Sequence, residues 1–243
     1  MGRRARRREE TAERLMSERL ASVSLLHFND GAPLSEGRVQ LAARTRSQAD
    51  LISAIQKSDI VFAIGPAGTG KTFIAVSMAL SLVSTGLVKK IVLTRPAIEA
   101  HGERIGYLPG TLNEKMDPFV QPLYDVLFTR IGRAAVSRML RNGMIEIAPL
   151  AFMRGRTFSD SIIVMDEAQN ATLDQLKMAM TRIGDNSRMI IAGDPDQSDL
   201  DERRGGLLSA AERMADAPGV RTVRFSSGEV VRSRIVSEVL RRL

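Results

Sequence analysis

From residue 45 onward, short apolar runs alternate with longer stretches whose apolar positions return every three or four residues. "DIVFAI" (59–64), "KIVLT" (90–94), "MIEIA" (144–148), "SIIVMD" (161–166), "RMIIAGD" (188–194) and "RTVRF" (221–225) are short and rich in β-branched residues, which predicts six strands. Several are apolar without alternation, the pattern of strands covered on both faces in a parallel sheet. Between them, "TFIAVSMALSLVSTG" (72–86), "FVQPLYDVLFTRIGRAAVSRML" (119–140) and "TLDQLKMAMTRIG" (172–184) repeat at helical spacing. Another helical stretch, "TRSQADLISAIQ", precedes the first strand. Strand and helix in alternation predict an open, mostly parallel α/β sheet with helices on both faces.

The first 44 residues do not share this rhythm. Residues 1–20 are charged and helix-prone, with Arg3, Arg4, Arg6, Arg7 and Arg8 clustered. Such a run reads as a solvated arm or as a tail touching nucleic acid. Residues 23–44 combine a short apolar run with a Gly/Pro turn and read as a small extension packed on the main domain. The expected organisation is a basic N-terminal extension, 1–44, followed by one domain, 45–243.

Composition narrows the picture modestly. An apolar share of 44% is that of a folded chain, and the net charge of +7 suits a polyanionic partner. Arginine-rich composition alone raises the charge equally well. The absence of cysteine excludes disulfides, thiolate metal sites and cysteine nucleophiles. The basic start runs into acidic residues where a signal peptide needs an apolar stretch, and "FIAVSMALSLV" is far shorter than the ~20 residues that span a bilayer. A cytoplasmic protein without membrane partners is expected.

The chemistry lies at the predicted strand ends. "GPAGTGKT", residues 65–72, follows the first strand and opens a helix, the setting of a phosphate-cradling loop. Gly65, Pro66, Ala67, Gly68, Thr69 and Gly70 form a backbone wrap whose N–H groups can point at phosphate oxygens. Lys71 would reach the β- and γ-phosphates of ATP, and Thr72 would offer a hydroxyl to Mg²⁺. The helix that follows turns its positive end toward the same anion.

Two more strand ends complete the set. "SIIVMDEAQN" ends in Asp166, placed to hold Mg²⁺, and Glu167, placed to activate a water. Solvated acids at a strand end are the bland alternative, and the phosphate loop upstream weighs against it. An Asp followed by Glu favours hydrolysis over transfer to a small acceptor, which argues against a small-molecule kinase. "RMIIAGDPDQSDL" brings Gln197, whose amide could sense a γ-phosphate. It resembles the coupling motif of superfamily-one helicases. Gln48, near the start of the first helical stretch, could pair with the adenine edge, as in the helicase Q motif.

"FAIGPAGTGKTFIAV", "LTRPAIEAHGERIGYLPG", "FMRGRTFSDSIIVMDEAQNAT", "MAMTRIGDNSRMIIAGDPDQSDL" and "SSGEVVRSRIVSEVL" resemble, in order, the PhoH-like ATPases. The resemblance covers about residues 45–243. It implies a RecA-like P-loop NTPase domain that binds ATP and Mg²⁺ in the cytoplasm and forms homo-oligomeric rings, with a hexamer as one form. Some members couple such a domain to RNA unwinding, so a helicase-like ATPase acting on RNA or single-stranded nucleic acid is expected. A nucleotide-gated protein-binding module with little turnover is the alternative. Asp196, Asp201 and Ser233 depart from the family pattern, where Thr, Pro and often His stand, and His101 is an unusual extra. These departures weaken any carry-over of coupling details.

Superfamily-one helicases close a second domain over ATP and supply an arginine from it. Too little chain follows the last strand here for such a domain, so a neighbouring subunit is expected to provide that arginine, with Arg232 in "GEVVRSR" the candidate. Nucleic-acid contacts are expected at Arg95, after the second strand, and then at Arg154 and Arg156 in "FMRGRTF". With aromatic residues at 4% of the chain, binding should rest on the backbone rather than on stacked bases.

Overall fold

The computed structural model describes residues 41–96, 112–200 and 205–231, with the backbone alone for 112–119. The N-terminal arm, His101, Asp201, Arg232 and Ser233 lie outside the described residues. All six expected strands are present: β1 Ile60–Ile64, β2 Lys90–Thr94, β3 Ile145–Ile147, β4 Ser161–Met165, β5 Arg188–Gly193 and β6 Val220–Arg224. They form one sheet in the order β3-β2-β4-β5-β1-β6, and every pairing is parallel. This is the open parallel α/β sheet that the strand–helix alternation predicts, in the RecA-like form that the family resemblance implies.

The period of two along each strand sorts its side chains onto two buried faces. Val61, Ala63, Ile91, Leu93, Ile162, Val164, Ile190 and Ala192 point to one layer of apolar packing. Phe62, Ile64, Val92, Ile163, Met165, Met189 and Ile191 point to the other. With both faces covered, the inner positions of the central strands are apolar and polar residues such as Ser161, Arg188 and Thr94 fall at their ends, which is why the runs lack alternation. Each such side chain contributes roughly 1.5–3 kcal/mol of burial.

Helices α1 (Arg46–Lys57), α2 (Lys71–Ser84) and α3 (Leu112–Arg141) supply the first layer. Thr45 caps α1, its side chain accepting from the Gln48 N–H, and Leu51 and Ile55 present the buried stripe. α2 is buried on almost every side from Ile74 to Val83, between the sheet, α1 and α3. α3 differs from the uninterrupted helix expected. At Gly132 the backbone takes φ 77°, ψ 156°, breaking it into two pieces. On the opposite face lie α4 (Leu173–Met180), opened by a Thr172–Gln175 capping box, and α5 (Leu207–Arg213). Among the described residues no helix is long and apolar enough to cross a membrane.

Parallel strands deliver all their carboxyl ends to one edge. β1, β4 and β5 are close to one another in the sheet, so the loops after Ile64, Met165 and Gly193 converge there.

Candidate active site

The chain leaves β1 and turns at once into the 65–72 loop. Gly65, at φ 147°, donates its N–H to the Gly193 carbonyl at 3.2 Å. A Cβ at this position would sit 2.5 Å from the Phe225 carbonyl oxygen, so only glycine admits the passage over the end of β6. Thr69 is fully buried and donates to the Pro66 carbonyl at 2.8 Å, closing the loop around Ala67 and Gly68. Gly70 then takes φ 88° and hands the chain to α2.

Lys71 follows as the first residue of α2. Its Nζ donates to the Gly65 carbonyl at 2.5 Å and the Pro66 carbonyl at 2.8 Å, curling over the loop. Burial pushes its pKa down, while Asp194, Asp166 and Glu167 pull it back up. The Lys71 ammonium, lining the cavity and held by two loop carbonyls, is a cation that an incoming polyphosphate could draw to itself.

Thr72 Oγ1 donates to Asp166 Oδ1 at 2.7 Å, so the start of α2 and the end of β4 meet. Asp166 is only 5% exposed. Burial raises its pKa, opposed by the Thr72 hydroxyl. A hydroxyl beside a desolvated carboxylate is a hard-oxygen donor set, and it fits Mg²⁺, which takes few protein ligands and completes its shell with phosphate and water. Lys71, Thr72, Asp166, Glu167 and Gln197 line one cavity of about 330 Å³.

Gln197 occupies a short 3₁₀ turn, Pro195–Gln197, and is exposed. Asp194, just before it, accepts from the Ala67 N–H at 2.8 Å. The residue that the sequence left unassigned is Gln169. Buried to 2% exposure, it accepts from the Asp194 N–H at 3.0 Å and donates to Glu167 Oε2 at 2.5 Å. It thereby ties the β4 end to the β5 end. A buried amide two residues after Glu167 was the available signal.

Glu167 itself takes φ 53°, ψ 38°, the left-handed region, at the start of the 168–170 turn. Arg95, expected on nucleic acid, lies with Nη2 2.9 Å from Glu167 Oε1. Gln48, expected at the adenine edge, is held within the protein, donating to the Thr69 carbonyl at 2.9 Å and accepting from the Arg44 N–H at 2.7 Å. It thus braces the loop, a role that spacing did not indicate. Gln48 also borders a second cavity of about 390 Å³, lined too by Gly68, Gly70, Phe73 and Arg130. Arg156, the other inner candidate for nucleic acid, is engaged with Glu146 at 2.6 Å and lies over the Phe158 ring at 4.5 Å. Arg154 stands exposed on the same turn, beside the exposed Phe152.

Comparison with known proteins identifies the family. The family model described as PhoH-like protein matches residues 40–243. The PhoH-like protein of Bacillus subtilis (strain 168) is 45% identical over 201 residues, covering 82% of this chain and 63% of that protein. The PhoH-like protein of Mycobacterium tuberculosis (strain ATCC 25618 / H37Rv) is 45% identical over 208 residues, covering 85% and 59%. Protein PhoH of Escherichia coli (strain K12) is 41% identical over 205 residues, covering 82% and 57%. The chain therefore spans about three-fifths of the length of these relatives. Among solved structures, the large terminase from a thermophilic bacteriophage, in complex with ADP, superposes with a TM-score of 0.52 at 14% identity. That match covers 82% of this chain and 49% of the terminase, a likeness of fold.

Proposed function

This chain belongs to the PhoH-like protein family, and we propose that it binds ATP with Mg²⁺ at the 65–72 loop and hydrolyses it. The observation that carries the reading is the Thr72–Asp166 hydrogen bond, which brings loop and β4 end together beside Lys71 and Glu167.

Each residue has a part in this reading. Loop amides at Gly68, Thr69 and Gly70 and the Lys71 ammonium grip the phosphates, while the Gly65 and Ala67 amides are held by Gly193 and Asp194. Thr72 and Asp166 hold Mg²⁺, which neutralises charge on the β- and γ-phosphates when bound. Glu167 orients and deprotonates the attacking water, and Gln197 lies at the cavity mouth to report the γ-phosphate. Adenine would take the cavity beside Gln48, whose own amide is spent on Thr69 and Arg44, so that Gln48 serves the nucleotide by bracing the loop. The large terminase crystallised with ADP shares the fold and supports the choice of ligand class.

The same reading extends to RNA or single-stranded nucleic acid as partner, and to a homo-oligomer as the working form. The net charge of +7 and the exposed Arg154 favour contact with a phosphodiester backbone. An arginine from a neighbouring subunit, Arg232 being the candidate, would complete the site. ATP turnover measured with and without a panel of RNAs and single-stranded DNAs, alongside the solution mass, tests both extensions. Stimulation that fades as salt rises, in an assembly larger than one chain, is expected. Flat turnover with every nucleic acid would remove the partner and favour a nucleotide-gated protein-binding module.

A further inference from the structure

Strands β2 and β4 pair with Thr94 opposite Met165, so the residues just past each strand are brought together. Asp166 donates its N–H to the Thr94 carbonyl at 3.1 Å, and one step further Arg95 reaches Glu167. The two oxygens of Glu167 are then both occupied: Oε1 by Arg95 at 2.9 Å and Oε2 by Gln169 at 2.5 Å. A general base needs a lone pair aimed at its water. Each oxygen keeps a second lone pair, but a carboxylate clamped between a guanidinium and an amide is not free to turn it onto a water. Its backbone, in the left-handed region, is a conformation that costs a residue with a side chain roughly 1–3 kcal/mol.

We propose that Arg95 is a latch on Glu167, and that a backbone phosphate of a single-stranded nucleic acid opens it by taking the guanidinium. This rests on Glu167 being the base, as proposed above. A phosphodiester presents two anionic oxygens to the planar fork of an arginine, as a carboxylate does, so one pairing can replace the other. The pair is suited to exchange. With side-chain exposures of 17% for Arg95 and 32% for Glu167, it is sheltered enough to hold and open enough to be reached. Arg95 also leaves β2 at the carboxyl edge of the sheet, where ligands of open α/β sheets bind. Nucleic acid and catalysis are thereby coupled through one side chain, without a second site having to signal over distance.

The test is steady-state ATP turnover of the full chain with Mg²⁺, with and without a single-stranded oligouridylate. Arg95→Ala should turn over ATP faster than wild type in the absence of RNA, by roughly tenfold if one charge-assisted hydrogen bond is lost. KM for ATP should barely change, and RNA should add little more. Arg95→Lys keeps a cation and should restore part of the repression. Turnover in Arg95→Ala at or below wild type, with ATP still bound, would mean that the arginine serves the reaction directly and would overturn the latch. Derepression in a protein that no single strand stimulates would overturn release by phosphate. Should Arg95→Ala fold poorly, Arg95→Gln decides in its place: it keeps most of the side chain without the charge, and basal turnover at or below wild type with ATP still bound contradicts the proposal. If wild type and Glu167→Gln release phosphate equally slowly, hydrolysis and latch both fall. If Glu167→Gln is inactive and Arg95→Ala is not faster, the latch alone falls.

Discussion

Asp194, the residue after β5, accepts a hydrogen bond from the Ala67 amide at 2.8 Å, so one strand's end holds the phosphate loop that follows another. Its other carboxylate oxygen accepts from the Asp196 N–H at 3.2 Å, which shapes the turn carrying Gln197. The loop and the turn are therefore linked through one carboxylate. Asp194→Ala should weaken ATP binding by roughly tenfold and cost about 1–3 kcal/mol of stability, since a buried donor loses its partner. Asp194→Asn, which keeps an acceptor, should recover most of both. Titration calorimetry and thermal unfolding read the two effects.

Lys71→Ala should abolish tight ATP binding while leaving the fold in place. The ammonium's partners in the structure are loop carbonyls, Gly65 and Pro66, and losing them removes little that the sheet depends on. The phosphate contact is charge-assisted and worth roughly 1.5–3 kcal/mol or more, hence tenfold or greater in affinity. Fluorescence titration with a labelled ATP analogue checks it, and unchanged affinity would count against the loop as the phosphate site.

The strands were legible because full burial on both faces leaves an uninterrupted apolar signature, and the phosphate loop because its glycines are demanded locally. Gln169 was not. Its amide matters only because β4 and β5 are neighbours, and neighbourhood in a parallel sheet is not written in local spacing. Arg95 and Glu167 meet for the same reason, through the register of β2 on β4. The break at Gly132 was hidden by apolar spacing that continues on both sides of it. α5, at seven residues, and the 3₁₀ turn Leu150–Met153 are too short to show a period.

Arg232 lies outside the described residues, directly after Val231, whose N–H donates to the Gly68 carbonyl at 2.9 Å. Arg232→Ala should bind ATP and hydrolyse it slower by roughly 10³-fold or more. Mixing it with Glu167→Gln should restore part of the activity if the arginine crosses between subunits. No recovery would assign the arginine to its own chain's site or remove it from catalysis.

Glu229 supplies the pH-dependent contact. Its carboxyl is drawn from 4.5 down to about 2, foremost by the Ser47 and Ser226 N–H groups, with the Ser47 hydroxyl adding to them. A depressed acid contributes stability above its unfolded pKa and loses it as pH falls through the folded value. The contact between the 226–231 segment and α1 should therefore be intact above pH 4.5 and lost progressively toward about 2. Amide exchange at Ser47 and Val231, corrected for the intrinsic rate, should accelerate across that window. In Glu229→Gln exchange should already be faster at neutral pH and show no further acid step.

The most direct measurement is phosphate release from Mg-ATP by wild type and Glu167→Gln, compared at equal nucleotide occupancy. Glu167→Gln should bind ATP as wild type does and release phosphate slower by roughly 10²–10⁴-fold, the share of a positioned general base. Equal rates in the two proteins at matched occupancy would contradict hydrolysis at this site.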